Sequence, residues 1–332
     1  MSVPAPDPTR LPHRAALAVF LFLIALLPLA VPSRYYLNVM IFAGIHVLLT
    51  VGLNLVMGYA GQVSLGHAGF YGLGAYASGV LTVKYGVNPW VAMAAALGLS
   101  LLVGLAIGIP SLHLQGYYLG MATLGFGIIL HILFVELLPF TGGPSGLVGI
   151  PEISLLGVKL NTDTRYYYLV WVVVGAVLLF AFHLVDSRVG RALRAIQGDE
   201  TAAALMGINT WLAKVRIFVT AAAFASVAGS LYAHYVTFLS PDSFGFGFSI
   251  DLIVMVIVGG TRSIWGSVLG AVLLTILPEY LRGLKDYDIL VYGAVVILVV
   301  MFVPSGIAGA IEQRLQRWRL KLATRARVAA DA

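Results

Sequence analysis

The chain alternates between apolar runs of helical length and short polar breaks. The runs fall at 15–32, 35–58, 64–83, 89–110, 117–139, 166–185, 212–236, 249–260, 264–281 and 288–304. Most are long enough to cross a hydrocarbon core of ~30 Å as an α-helix, which takes ~20 residues. The pattern predicts an all-α integral membrane protein of about ten transmembrane helices (8–10), some of them short or broken. The run 249–260 is too short to cross alone at ~1.5 Å per residue, which predicts a broken, re-entrant or merged helix. The first run, preceded by Arg10 and Arg14, has the shape of a signal peptide. Its length and the spans that follow favour an uncleaved first helix.

One stretch departs from a plain apolar helix. "GLNLVMGYAGQVSLGHAGFYGLGAYASG", residues 52–79, carries glycine at 52, 58, 61, 66, 69, 72, 74 and 79, with Asn54, Gln62, Ser64 and His67 among them. Small residues let helices approach closely, and hydrogen-bonding residues hold them together. Irregular backbone at membrane depth is tolerated where protein or a water-filled cavity covers it. The stretch is expected to be discontinuous and to border a translocation path, with Asn54, Gln62, Ser64 and His67 as its polar residues. Plain helix packing is the competing account of the glycines, and interhelical hydrogen bonding that of the polar side chains. A short echo, "GQVSLGHAG" at 61–69 and "GTRSIWGSVLG" at 260–270, suggests an internal repeat.

Composition agrees with the pattern. Hydrophobic residues make up 60% of the 332 and charged ones 10%, against about 25% charged in soluble domains. There is no cysteine, which excludes disulfides, thiolate metal sites and thiol catalysis. The formal net charge of +6 is concentrated in a few segments. Arginines and lysines precede the first run, cluster around 188–216 and fill the tail. With about ten crossings, the positive-inside bias places both termini and that middle cluster in the cytoplasm. The chain thus divides into a cytoplasmic N-terminus (1–14), a transmembrane domain (15–309) with a cytoplasmic loop at 186–210, and a basic cytoplasmic tail (310–332). The tail suits anionic membrane lipid; no nucleic-acid-binding module accompanies it.

The cytoplasmic loop is predicted to be two short helices. Val189, Ala192, Leu193 and Ile196 fall on one helical face, with Arg188, Arg191 and Arg194 on another. Gly198 interrupts, Asp199 is placed to N-cap a second helix through "ETAAALM", and Gly207 stands where a C-terminal cap belongs, with Ile208 next to it. A surface helix needs one apolar face, but not the small run Thr201, Ala202, Ala203 and Ala204. That run suits close docking of another protein; a helix lying on the membrane surface is the alternative.

"TAAALMG", with Ile217 ten residues after Gly207, resembles the EAA loop of ABC importer permeases, placing Ala202, Ala203 and Gly207 on its two alanines and its glycine. Thr201 stands where that motif often has Glu, Glu200 lies one residue early, and Thr220 replaces the usual downstream Pro. More specifically, residues 40–310 resemble the branched-chain amino-acid permeases of the LivM type. The resemblance rests on "GLNLVMGYAGQVSLGHAGFYGLGAY", "GRALRAIQGDETAAALMGI", "AGSLYAHYVTFLSPDSFGFGFSIDLIVMVIVGG" and "FVPSGIAG". It implies a permease subunit in the cell inner membrane, paired with a second homologous permease. Two cytoplasmic ATPase subunits and an extracytoplasmic amino-acid-binding protein would complete the system. It also implies an ATPase-coupling role for Arg194, Asp199, Glu200, Thr201, Ala202, Ala203 and Gly207. A urea or short-amide permease of the same superfamily is the nearest substrate alternative.

Other classes have less support. Ser64 and His67 share a helix spacing, but no G-x-S-x-G accompanies them. There is no P-loop, so any ATP must be hydrolysed by a partner. No cofactor or metal site is expected. An ion-coupled secondary transporter would need ionisable groups at mid-membrane depth. The candidates here, His46, Glu136, Asp251 and Glu279 among them, lie mostly near run ends. Asp251 is expected in the first turn of its helix, where an acid favours the helix dipole. The loop 140–150, "FTGGPSGLVGI", and residues 237–248 are expected to form an outer surface.

Overall fold

A computed structural model describes residues 13–30, 33–114, 116–155, 158–159, 162–281, 288–303, 306–311 and 314. The tail beyond 314 and most of the N-terminal segment lie outside the described residues. The longer helices are α1 (His13–Ala30), α2 (Arg34–Asn54), α3 (His67–Tyr85), α4 (Pro89–Ser111) and α5 (Tyr117–Glu136). After the four-residue α6 (Leu138–Thr141) come α7 (Asp163–Asp186), the two short helices α8 (Arg188–Gly198) and α9 (Glu200–Leu205), and α10 (Thr210–Val236). The last are α11 (Phe246–Gly259), α12 (Ile264–Leu281) and α13 (Asp288–Phe302). Each apolar run of the sequence coincides with one of these helices. Among the described residues, six are long and apolar enough to cross a membrane: α2 with its π-helical extension to Tyr59, α4, α5, α7, α10 and α12. Ala15–Leu29, Phe246–Gly259 and Leu290–Val299 are shorter apolar helices. The chain is an all-α, multi-pass membrane protein.

The centre is α2, packed against α7, α10, α11 and α12 and buried over most of its length. Helices α4 and α5 lie outside it and expose Val91, Leu102, Ile109, Ile129 and Ile132. Such apolar faces belong against lipid, where there is no water to drive them inward.

Helices α3 and α10 cross closely. A Cβ at Gly74 would fall on the Ser226 backbone, and one at Gly229 on the Tyr71 carbonyl oxygen. Gly74, from the stretch predicted to permit close packing, does so here together with Gly229, because any side chain would force the two backbones apart. Ser230 Oγ donates to Gly74 O at 3.2 Å, and Ser78 Oγ lies 2.8 Å from His234 Nε2. His234 Nδ1 is 2.7 Å from Pro151 O, tying α10 to the 137–162 connection.

The connections gather at two ends. At one, Leu147–Val148 (β1) pairs antiparallel with Phe238–Leu239 (β4), while Ser154–Leu155 (β2) pairs with Val158–Lys159 (β3). Trp90 Nε1 donates to Ser154 O at 2.8 Å. The two segments expected to share one outer surface are therefore bonded to each other. At the other, Gly61, Leu114, Gly116, Gln197 and Glu200 come together, and Arg262 lies beside Gly58.

Two details differ from the sequence reading. Helix α11 begins at Phe246, after extended Gly245 (φ −72°, ψ 173°), so Asp251 stands beyond its first turn and is exposed on its side. In α8 the buried face is Gly190, Leu193 and Ile196, while Val189 is exposed. A Cβ at Gly190 would meet the Val185 backbone, so α8 lies flush against the end of α7 and turns Val189 outward.

Candidate functional site

The glycine-rich stretch is discontinuous. Helix α2 loosens into a π turn at Leu55–Tyr59, residues 60–66 are non-helical, and α3 restarts at His67. The Gln62 backbone N–H donates to Val56 O at 3.0 Å and closes the bend. Leu65 N donates to Thr123 Oγ1 at 3.0 Å, and Ala68 N to Ser249 Oγ at 3.2 Å. A Cβ on Gly127 would stand 3.3 Å from Gly66 Cα. Gly127 lies ~15 Å along α5 at ~1.5 Å per residue, about half that helix's length. The non-helical segment therefore enters the bundle deeply, and α3 presents its N-terminus within it.

The four polar residues of this stretch divide. Asn54 is consumed by packing: its Nδ2 donates to Ser263 O at 2.9 Å and Ser267 Oγ at 2.7 Å, and its Oδ1 accepts from Arg262 N at 3.2 Å. It clamps α2 to the start of α12 and leaves no group for a passing solute. Gln62, Ser64 and His67 are buried. Both side-chain polar atoms of Gln62, and Nε2 of His67, have no hydrogen-bond partner. Buried polar groups are normally paired, and each exception costs about 1–3 kcal/mol.

The loop after α7 is two capped helices. The Ser187 hydroxyl accepts from Val189 N, and Asp199 Oδ1 accepts from Ala202 N at 3.0 Å. Gly207 has φ +81°; its N–H donates to Ala204 O at 3.0 Å, and Ile208 N donates to Ala203 O at 3.2 Å. This is the Schellman arrangement that closes a helix C-terminus. Ala203 is buried, whereas Thr201, Ala202 and Ala204 are exposed. Arg194 turns back to donate to Val185 O at 3.1 Å, satisfying a carbonyl at the end of α7.

Several residues here escaped the sequence reading. Leu205 and Met206, each 84% exposed, form an apolar tip on α9. Lys214, read as one of the arginine-and-lysine cluster, is only 5% exposed and pairs with Glu200. The acid that sits one residue early is thereby directed at α10. Gln197 lies against the bend: a Cβ at Gly61 (φ +69°) would come 3.1 Å from its Cγ. The small run of α9 was visible in the sequence, but no periodicity relates Gly61 to Gln197 or Glu200 to Lys214. A cavity of about 90 Å³ lies where these parts meet, bordered by Gln62, Leu119, Ile196, Gln197, Glu200 and Lys214.

Apolar helices around a broken, hydrogen-bond-rich centre, with a capped loop packed on the break, form the architecture of a membrane transport subunit. The chain belongs to the family described as the permease component of branched-chain amino acid transport systems, whose family model matches residues 35–303. Within it the chain is of the LivM type. It is 34% identical over 315 residues to the high-affinity branched-chain amino acid transport system permease protein LivM of Salmonella typhimurium, covering 86% of this chain and 74% of that one. The ribose import permease protein RbsC of Escherichia coli is 28% identical over 88% of this chain and 94% of its own length. The LivH permease of the Salmonella branched-chain system is 27% identical over 80% of this chain and 92% of its own. No solved structure matches.

Proposed function

We propose that this chain is a permease subunit of an ATP-binding-cassette importer in the cell inner membrane and forms part of the path for branched-chain or related hydrophobic amino acids. The observation that carries the reading is the contact between the coupling loop and the bend at 60–66. A motor docked on α9 would move α8, and α8 carries Gln197 against Gly61. Thr201, Ala202, Ala204, Leu205 and Met206 supply a small and apolar docking surface for the ATPase, held rigid by Asp199 and Gly207.

The path is assigned to the bend and the start of α3, with Gln62, Ser64 and His67 as its polar residues. A helix N-terminus within the bundle favours the carboxylate of a zwitterion. Asp251 is exposed on α11, and a carboxylate bare to lipid is costly. The second permease is assigned to that face. Two ATPase subunits and an extracytoplasmic binding protein complete the system, with both termini and the coupling loop in the cytoplasm. LivM and LivH of Salmonella are each named a permease protein of the high-affinity branched-chain amino acid transport system, which supports a heteromeric pair.

The test is uptake of leucine, ribose and urea into vesicles that hold the complete complex, binding protein and internal ATP, with an ionophore present. Leucine uptake that needs ATP and survives the ionophore is expected. Accumulation driven by an ion gradient alone, without the ATPases, would overturn the reading.

A further inference from the structure

The cavity between the bend and the coupling loop has a definite chemistry. Its polar groups come in matched sets. Gln62 and Gln197 each offer an amide donor and a carbonyl acceptor, and Lys214 and Glu200 offer one charge of each sign. The set carries no net charge. Gln62 is 3% exposed, and both of its polar atoms lack partners and are covered, so its side chain turns into the cavity to meet a ligand. Leu119 and Ile196, both buried, line the same cavity. At ~10–15 Å³ per water-sized position, the cavity's volume of about 90 Å³ corresponds to about six to nine such positions. That admits the ammonium and carboxylate of an amino acid with the first carbons of its side chain.

We propose that this cavity is a binding site for the zwitterionic head of a small apolar amino acid, at the coupling-loop mouth of the path. The proposal rests on the permease reading and extends it to a site between gate and motor. The ligand carboxylate is received by Lys214 Nζ and the Gln62 amide N–H. The ammonium is received by Glu200 and Gln62 Oε1, and the side chain by Leu119 and Ile196. A half-enclosed site without net charge disfavours ligands that carry one, because a charge partly withdrawn from water without a partner is costly. A cation or an anion of the same shape is therefore disfavoured where the zwitterion is accepted. Occupancy bridges the bend at Gln62 to the coupling loop at Glu200, so amino acid on this side stiffens the joint through which a docked motor would act.

The cysteine-free sequence makes the test direct. Gln197→Cys places a single thiol in the cavity wall of this chain, within a complex of both permeases and both ATPases, without binding protein or nucleotide. The rate of maleimide labelling of this chain is followed by mass spectrometry. Saturating leucine is expected to slow labelling about tenfold, whereas leucinamide, isocaproate and ribose change it less than about twofold. Equilibrium dialysis of radiolabelled leucine against the complex should show Gln62→Leu and Lys214→Met weakening binding at least about tenfold. Gln62→Glu adds a negative charge and should turn the preference from leucine to leucinamide, a gain that misfolding cannot mimic. Equal protection by leucine and by leucinamide or isocaproate would overturn the zwitterion site, and equal protection by ribose would make it a polyol site instead. Unchanged labelling together with leucine uptake by the complete system would overturn the site and leave the permease reading standing. Neither protection nor uptake of leucine would overturn both.

Discussion

Glu200 and Lys214 form an ion pair that fastens the first turn of α9 to the first turns of α10. Lys214 is buried, and Glu200 keeps part of its contact with solvent. The pair holds the α8–α9 loop against the bundle.

Removing one member strands the other. Lys214→Met should destabilise the purified complex by less than the ~3–5 kcal/mol of a fully buried pair, because Glu200 retains some water. The double variant Lys214→Met with Glu200→Gln should recover part of that loss. Thermal unfolding in detergent checks both; a double variant as unstable as the sum of the singles would show that the pair has no coupling.

Gly207 holds a left-handed backbone that costs an L-residue ~1–2 kcal/mol, and a β-branched one more. Gly207→Val should remain in the membrane and lose most of its co-purifying ATPase, with Gly207→Ala intermediate. Leu205→Asp and Met206→Asp should lose the ATPase while leaving the melting temperature unchanged, since both side chains are exposed. Full ATPase recovery with all of these variants would place docking elsewhere.

Two glycine-to-alanine changes should have opposite signs. In a helix, alanine is better than glycine by about 1 kcal/mol. At Gly98 a Cβ meets nothing within 4 Å, so Gly98→Ala should be neutral or stabilising. At Gly229 it would fall on the Tyr71 backbone, so Gly229→Ala should destabilise by about 1–3 kcal/mol despite the propensity gain. Melting temperatures of the two variants compare them directly.

Asn54→Leu keeps the volume but deletes the bonds to Ser263, Ser267 and the Arg262 amide. The groups left unpaired should cost about 1–3 kcal/mol. A stability loss with unchanged leucine affinity for the complex is expected, because Asn54 serves the α2–α12 clamp. A selective loss of leucine affinity at full stability would return Asn54 to the path.

Orientation is testable with single thiols in the cysteine-free chain. Glu152→Cys, at the end that carries the β1–β4 pair, should react with an impermeant maleimide in intact cells. Thr201→Cys should react only after permeabilisation. Labelling of Thr201→Cys alone in intact cells would invert the topology.

The sequence alone determined whatever depends on local chemistry and on one-dimensional pattern. Apolar runs of helical length gave a helix at every expected run, since a backbone in hydrocarbon must satisfy its own hydrogen bonds. Asp199, Gly198 and Gly207 marked the two short helices of the coupling loop, because caps act within a turn of their own residue. The glycines and polar residues of 52–79 foretold a break in the helix. Tertiary structure alone decided the rest, because it depends on which distant residues meet. It sent Asn54 to the helix clamp and left Gln62 and His67 with unpaired polar atoms, though all three sit in the same stretch. It set Gly229 on the Tyr71 backbone and Gly190 on that of Val185, which turned Val189 outward. It also joined Glu200 to Lys214 and Gln197 to Gly61, giving the bend and the coupling loop a shared wall that no spacing along the chain encodes.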